Sequence, residues 1–255
     1  MAPDLLENAR LALACLDLTS LNDADAAPAI DALCDRAVSP FGTVAAVCVW
    51  PRFTAQARAA LPPAVRVAAV ANFPHGALAP DLALADCAAI AAAGGNEIDL
   101  VLPWRAWVDG QRAACAALVA AVRRAHPALT LKLILETGEL RELALITSAS
   151  VMALDEGMDF IKTSSGKTPV SATPEAAKAM LAAIAAHPRH ANVGFKASGG
   201  IRTVADARTY IELARATLGL VTPRNFRLGA SALLADIVSL LSGAASSGAP
   251  PTTFY

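Results

Sequence analysis

The chain has 255 residues, with 21 Lys and Arg against 22 Asp and Glu, a formal net charge of −1, and 55% hydrophobic residues. That length fits one large domain or two small ones, and the near-zero charge without a basic stripe excludes a nucleic-acid or anionic-membrane surface as the main business of the protein. The five cysteines, Cys15, Cys34, Cys48, Cys87 and Cys115, form no CxxC pair. They argue for a reducing, cytoplasmic setting rather than a disulfide framework or a structural zinc site. No basic flank with a long apolar core marks a signal peptide, and charges or Gly-Gly interrupt every alanine tract before it reaches membrane-spanning length.

In chain order, residues 2–12 read as a short extra helix, followed by a strand at 15–19. Asn22 or Asp23 is the expected cap of a helix to about residue 37. A second strand at 44–50 precedes a short helix capped by Thr54. A third strand at 65–73 precedes a helix that stops at Gly94-Gly95. The fourth strand covers 97–102, with a helix at 111–125. The fifth covers 129–136, with a helix from near Glu139. The sixth covers 159–163, and Thr173-Pro174-Glu175 opens the next helix. The seventh covers 192–196, followed by a Thr203/Asp206 capping box. The eighth covers 226–229, followed by a helix capped by Ser231. Strict alternation implies a parallel sheet with helices outside it. Eight units in this length predict a closed (β/α)₈ TIM barrel; a doubly wound open sheet is the alternative and fits less well, because no G-x-G-x-x-G follows the first strand. Residues 1–242 are read as one catalytic domain and 243–255 as a flexible tail ending in Tyr255.

Lysine is scarce. The five are Lys132, Lys162, Lys167, Lys178 and Lys196, and arginine supplies most of the basic charge. Lys132, Lys162 and Lys196 fall inside apolar strand runs, where an ammonium group is costly to bury. Unlike arginine, a buried lysine can lose its proton. In such a barrel the active site lies at the C-terminal strand ends. These ends offer Asp17, Thr19, Cys48, Asn72, Asp99, Lys132, Glu136, Lys162 and Lys196. Lysines on the sixth and seventh strands would point inward together and depress each other's pKa, giving an amine able to attack a carbonyl carbon. Asp99 would balance charge and move protons. The bland alternative is a buried Lys–Asp–Lys network that only ties strands together. For Lys132 a pairing with Glu136 on the same strand face is the competing expectation.

Gly166-Lys167-Thr168 is not a P-loop, since Ile161 stands where the first glycine belongs. Gly199-Gly200 after the seventh strand and Gly229-Ala230-Ser231 after the eighth could hold a phosphate, with Lys167 and Arg202 adding charge. The four histidines, His75, His126, His187 and His190, form no metal-binding spacing, so no metal or other cofactor is expected.

The segments Leu16-Asp17-Leu18-Thr19, Cys48-Val49-Trp50-Pro51, Glu97-Ile98-Asp99, Glu136-Thr137-Gly138, Phe160-Ile161-Lys162-Thr163-Ser164-Ser165-Gly166-Lys167 and Gly194-Phe195-Lys196-Ala197-Ser198-Gly199-Gly200 together resemble the deoxyribose-phosphate aldolase family, from about residue 12 to 235. The resemblance implies a metal-free class I aldolase that cleaves 2-deoxyribose 5-phosphate to acetaldehyde and glyceraldehyde 3-phosphate. By motif position it makes Lys162 the Schiff-base lysine and Lys196 its perturbing partner, with Asp99 sharing proton transfer. It places the phosphate contacts at Gly166, Lys167, Gly199, Gly200 and Ser231 and lets Tyr255 fold over the site, while Asp17, Thr19, Cys48, Lys132, Thr163, Ser165, Arg202 and Gly229 complete the expected substrate-binding set. One departure is Ser231-Ala232, where many members carry tandem serines. Partners would be phosphosugar and aldehyde substrates, with a homodimer as the candidate assembly. The rivals are another class I phosphosugar or keto-acid aldolase, and a phosphosugar-binding barrel without turnover.

Overall fold

The computed structural model describes residues 3–243. Eight strands form the centre: β1 (Leu16–Thr19), β2 (Ala46–Val49), β3 (Arg66–Ala71), β4 (Glu97–Val101), β5 (Thr130–Ile134), β6 (Phe160–Lys162), β7 (Gly194–Ser198) and β8 (Phe226–Ala230). Each pairs in parallel with the next, and β8 closes onto β1. The result is the expected (β/α)₈ barrel with a helix, Pro3–Ala14, ahead of β1. That helix packs on the last two, Val204–Leu218 and Leu233–Ser242. The expected tail beyond Gly243, with Tyr255, lies outside the described residues. No described helix is long and apolar enough to cross a membrane.

Local chemistry fixes several boundaries. The Thr173 hydroxyl accepts the Ala176 N–H and Pro174 takes the first helical position, so Pro174–Ala186 starts where the sequence predicts. Thr203 and Asp206 close a reciprocal capping box at Val204–Leu218. Other starts differ from expectation. The Asp25 carboxylate accepts the Ser20 hydroxyl and the Asn22 N–H, holding a turned loop, so neither Asn22 nor Asp23 caps a helix and Ala27–Arg36 begins later, with Pro28 in its first turn. Thr54 is the first residue of its helix rather than its cap, because the 3₁₀ turn Pro51–Phe53 leads straight into it. Ala232, not Ser231, stands at the N-cap of Leu233–Ser242. The helix expected near Glu139 is two pieces, Thr137–Leu140 and Leu143–Asp155, broken where Arg141 adopts φ 58°.

The apolar core is a ring between barrel and helices. Leu16, Leu18, Val47, Val67, Ile98, Leu131, Phe195 and Leu228 face outward into it from the strands. Alternate residues on the same strands face the barrel axis. There the filling is largely charged: Asp17, Glu97, Asp99, Lys132, Lys162, Lys196 and Arg227 are all buried. Barrel interiors are ordinarily packed with branched apolar side chains, so this charged interior departs from the usual filling.

Candidate active site

Strand register brings the charged groups together. Asp99 lies opposite Lys132, Lys162 opposite Lys196, and Lys196 opposite Arg227. Asp99 is the hub. Its Oδ1 accepts from Lys132 Nζ at 2.8 Å, and its Oδ2 accepts from Lys162 Nζ at 2.8 Å and Lys196 Nζ at 2.7 Å. Lys196 also donates to Asp17 Oδ2. Lys132 reaches Glu97 Oε2 at 2.6 Å and Asp17 Oδ2 at 3.5 Å. Arg227 lies beneath, with Nη1 at 2.6 Å from Asp17 Oδ1 and Nη2 at 2.9 Å from Glu97 Oε1. The expected Lys132–Glu136 pair does not form. Glu136 follows β5 with φ 58°, and its Oε1 accepts the Ser165 N–H and the Thr168 hydroxyl instead.

The lysines differ in their electrostatics. Burial pushes every one of them toward the neutral amine. At Lys162 burial prevails, aided by the Lys196 charge and opposed by Asp99, and its pKa falls below the ordinary 10.5. At Lys196 the two carboxylates Asp17 and Asp99 outweigh burial and raise its pKa. Lys132 is raised in the same way by Asp99, Glu97 and Asp17. The expected mutual depression of two lysines therefore holds for Lys162 alone. Burial would lift Asp99, yet Lys132, Lys162 and Lys196 hold its carboxyl well below the usual range. Cys48 Sγ–H faces Asp99 Oδ2 at 4.0 Å; burial and the Asp99 charge push the thiol up to about 11, so it is a neutral wall of the site.

Glycines and hydroxyls shape the mouth. Thr19 donates to the Asp17 carbonyl at 2.8 Å and lines a cavity of about 190 Å³ together with Ser231, Asn22 and Arg36. Thr163 donates to the Ser198 carbonyl and accepts its N–H, which ties the ends of β6 and β7. Ser165 is buried and occupied within its loop: its N–H goes to Glu136 and its Oγ accepts the Lys167 N–H at 3.0 Å. The Lys167 ammonium lies 3.7 Å from the exposed Asp23 carboxylate. Gly166, Gly199 and Gly200 have φ of 83°, 85° and 79°, which favours glycine. A Cβ on Gly199 would sit 3.7 Å from Gly166 Cα, so the loops after β6 and β7 abut. A Cβ on Gly229 would sit 3.1 Å from Lys196 Cε, so its absence makes room for the lysine stem. The Arg202 N–H is held by Asp206 at the capping box. Asn72 is taken up in its own loop, donating to the Ala77 and Val101 carbonyls.

Glu97 and Arg227 were not among the expected site residues. The signal for both was parity: each lies two positions before a named site residue, Asp99 or Gly229, and so on the same face of its strand. A further cavity of about 570 Å³ opens at the opposite mouth, lined by Arg66, Glu97, Arg224 and Arg227 among others. It contains none of the inward lysines and is not where imine chemistry could occur.

The chain matches the model of the DeoC/LacD aldolase family over residues 11–236. It is 48% identical over 242 residues to the curated deoxyribose-phosphate aldolase of Agrobacterium fabrum, covering 93% of each chain. Among solved structures, it resembles a protein of Coccidioides immitis described as a candidate deoxyribose-phosphate aldolase, with TM-score 0.81, 28% identity, and 91% and 86% of the two chains covered. The tetrameric deoxyribose phosphate aldolase of Aeropyrum pernix shares the fold, with TM-score 0.74 at 22% identity over 95% of this chain and 99% of that one. The fold, the motifs and these likenesses agree, and the chain belongs to the DeoC/LacD family of aldolases.

Proposed function

We propose that this chain is a deoxyribose-phosphate aldolase that reversibly cleaves 2-deoxy-D-ribose 5-phosphate to acetaldehyde and D-glyceraldehyde 3-phosphate, as part of deoxyribonucleoside breakdown. The observation that carries this reading is Lys162: a buried amine held below its ordinary pKa, 2.8 Å from one carboxylate, beside a lysine that stays charged.

Neutral Lys162 Nζ adds to C1 of the open-chain sugar. The Lys196 ammonium protonates the departing hydroxyl, water leaves, and the nitrogen becomes an iminium. The C3 hydroxyl gives its proton back to the now neutral Lys196, through Asp99 or a water between them. The electron pair of the C2–C3 bond flows to the iminium, forming an enamine and freeing glyceraldehyde 3-phosphate. Protonation at C2 and hydrolysis release acetaldehyde and restore Lys162. Positioned proton transfer of this kind contributes about 10²–10⁴-fold. The loops carrying Gly166, Lys167, Gly199, Gly200, Arg202, Gly229 and Ser231 would receive the phosphate, as their convergence after β6, β7 and β8 suggests.

Residues 1–242 are taken as a single catalytic domain. A cytoplasmic location is supported by the five buried free cysteines. A homodimer is supported by exposed Leu143 and Val170, which line one cavity; sedimentation would test it. The primary experiment is borohydride reduction in the presence of 2-deoxyribose 5-phosphate, followed by peptide mass mapping. A substrate-dependent adduct on Lys162 is expected. An adduct on Lys196 would reverse the lysine roles, and no adduct with the sugar intact would favour a binding protein without turnover.

A further inference from the structure

The barrel interior holds three buried carboxylates, Asp17, Glu97 and Asp99, and four buried basic side chains, Lys132, Lys162, Lys196 and Arg227. We infer that Arg227 is a positioning residue of the aldol chemistry: by pairing with Asp17 and Glu97 it completes a charge-matched set in which Lys162 is the one basic group not needed to balance a carboxylate. The inference rests on the reading of Lys162 as the imine-forming amine.

The pairings divide the charges unevenly. Arg227 bridges Asp17 and Glu97. Lys132 reaches Glu97, Asp99 and Asp17, and Lys196 reaches Asp17 and Asp99. In the resting site three cations thus meet three carboxylates, and a proton on Lys162 would be a fourth positive charge without a carboxylate of its own. Burying such a charge is expensive.

Among the described residues Lys162 makes its one ion pair with Asp99, and the remaining groups near it stand outside the paired set. Cys48 on β2 is a neutral thiol. Glu136 at the end of β5 is pushed by burial toward its protonated form. Arg66 at the start of β3 lies 3.5 Å from Glu97, but its side chain is 44% exposed and water screens it. Arg227 acts from beneath the reacting atoms. Without it Asp17 and Glu97 would lose a cation, and the network could recover balance by keeping Lys162 protonated. An arginine suits this place because its charge is permanent and its two-pronged donor set matches two carboxylates.

The test is the pH dependence of kcat/KM, whose acid limb reports the free enzyme's essential base, measured for R227M, E97Q, the double variant E97Q/R227M and R227K. Deleting the cation should move the limb up by about one pH unit, which costs roughly tenfold in rate below it. Deleting the carboxylate should move it down. The double variant should return near the wild-type midpoint, and R227K, which keeps the charge, should stay closer to wild type than R227M. Shifts of the same sign in R227M and E97Q, or an equal loss at every pH, would overturn the inference. Should R227M fail to fold, the comparison of E97Q with E97Q/R227M decides: the double must titrate at higher pH, and coincident limbs refute the role. Borohydride mapping of the wild type separates the two readings. An adduct away from Lys162 removes the imine assignment and this inference with it. An adduct on Lys162 with unmoved limbs removes only the role of Arg227.

Discussion

At the residue scale, three inward lysines with the same side chain behave differently because they reach different numbers of carboxylates. Lys132 reaches three and Lys196 reaches two, and both stay charged; Lys162 is paired with Asp99 and drifts toward neutrality. The distinction is geometric, so moving a lysine stem should matter as much as removing it. Gly229 supplies such a test. A Cβ there would meet Ser198 Oγ at 2.5 Å and Lys196 Cε at 3.1 Å. Overpacking at such a point typically costs about 1–3 kcal/mol, and a displaced catalytic group can cost up to about a hundredfold. Gly229→Ala is expected to remain folded with a lowered Tm, and to lose about ten- to a hundredfold in kcat/KM. Unchanged kinetics would show that Lys196 has room to spare. That Lys162, Lys196 and Asp99 meet inside the barrel was legible in the sequence, because lysines and an aspartate in apolar strands are conspicuous. Their division of labour was not, since it depends on distances to Asp17, Glu97 and Arg227 that only the closed barrel creates.

At the scale of elements, the eight strand–helix units were legible because turn residues separate the apolar runs; of the expected caps, Thr173 and the Thr203/Asp206 box fell where local chemistry put them. Boundaries were less legible where the chain uses backbone strain or tertiary bonds. Arg141 at positive φ splits one helix, and a five-residue helix, Trp104–Val108, follows β4 without a sequence signal. Glu136 is the most informative miss. Read as a partner for Lys132, it instead reaches from the end of β5 to clamp the loop after β6 through the Ser165 N–H and the Thr168 hydroxyl. This clamp holds the loop that carries Gly166 and Lys167. Glu136→Ala would leave the buried Ser165 N–H without its acceptor, at a cost of about 1–3 kcal/mol. The expected result is a raised KM for the phosphorylated sugar with a smaller change in kcat. Glu136→Gln should behave close to wild type, since an amide oxygen can accept both bonds. Equal damage by both variants would mean that the carboxyl proton, and not the clamp, matters.

At the scale of the whole molecule, an apolar ring outside the barrel stabilises the fold around a charged interior, and stability and the proposed chemistry make opposite demands at Lys162. A base with a depressed folded pKa binds fewer protons folded than unfolded between that pKa and the ordinary 10.5. Stability therefore rises with pH across that window, and at neutral pH the lysine detracts from stability. Replacing it with an apolar side chain of similar length removes this burden, while Asp99 keeps Lys132 and Lys196 as partners. Lys162→Met is accordingly expected to abolish turnover and raise Tm at pH 7, by about 2–4 °C for each kcal/mol gained in a chain of this size. The gain should shrink as pH approaches 10.5, where the unfolded lysine also sheds its proton. The acidic members show the opposite sense: Asp17 and Asp99 have depressed folded pKa values, so their contribution is present above the ordinary aspartate range and is lost only as pH falls through those lowered values. Thermal melts of the wild type and Lys162→Met from pH 6 to pH 10.5 would resolve the matter. A variant less stable than wild type at neutral pH, or a difference independent of pH, would show that the Lys162–Asp99 bond holds the barrel together and that the amine is not held neutral at a cost to the fold.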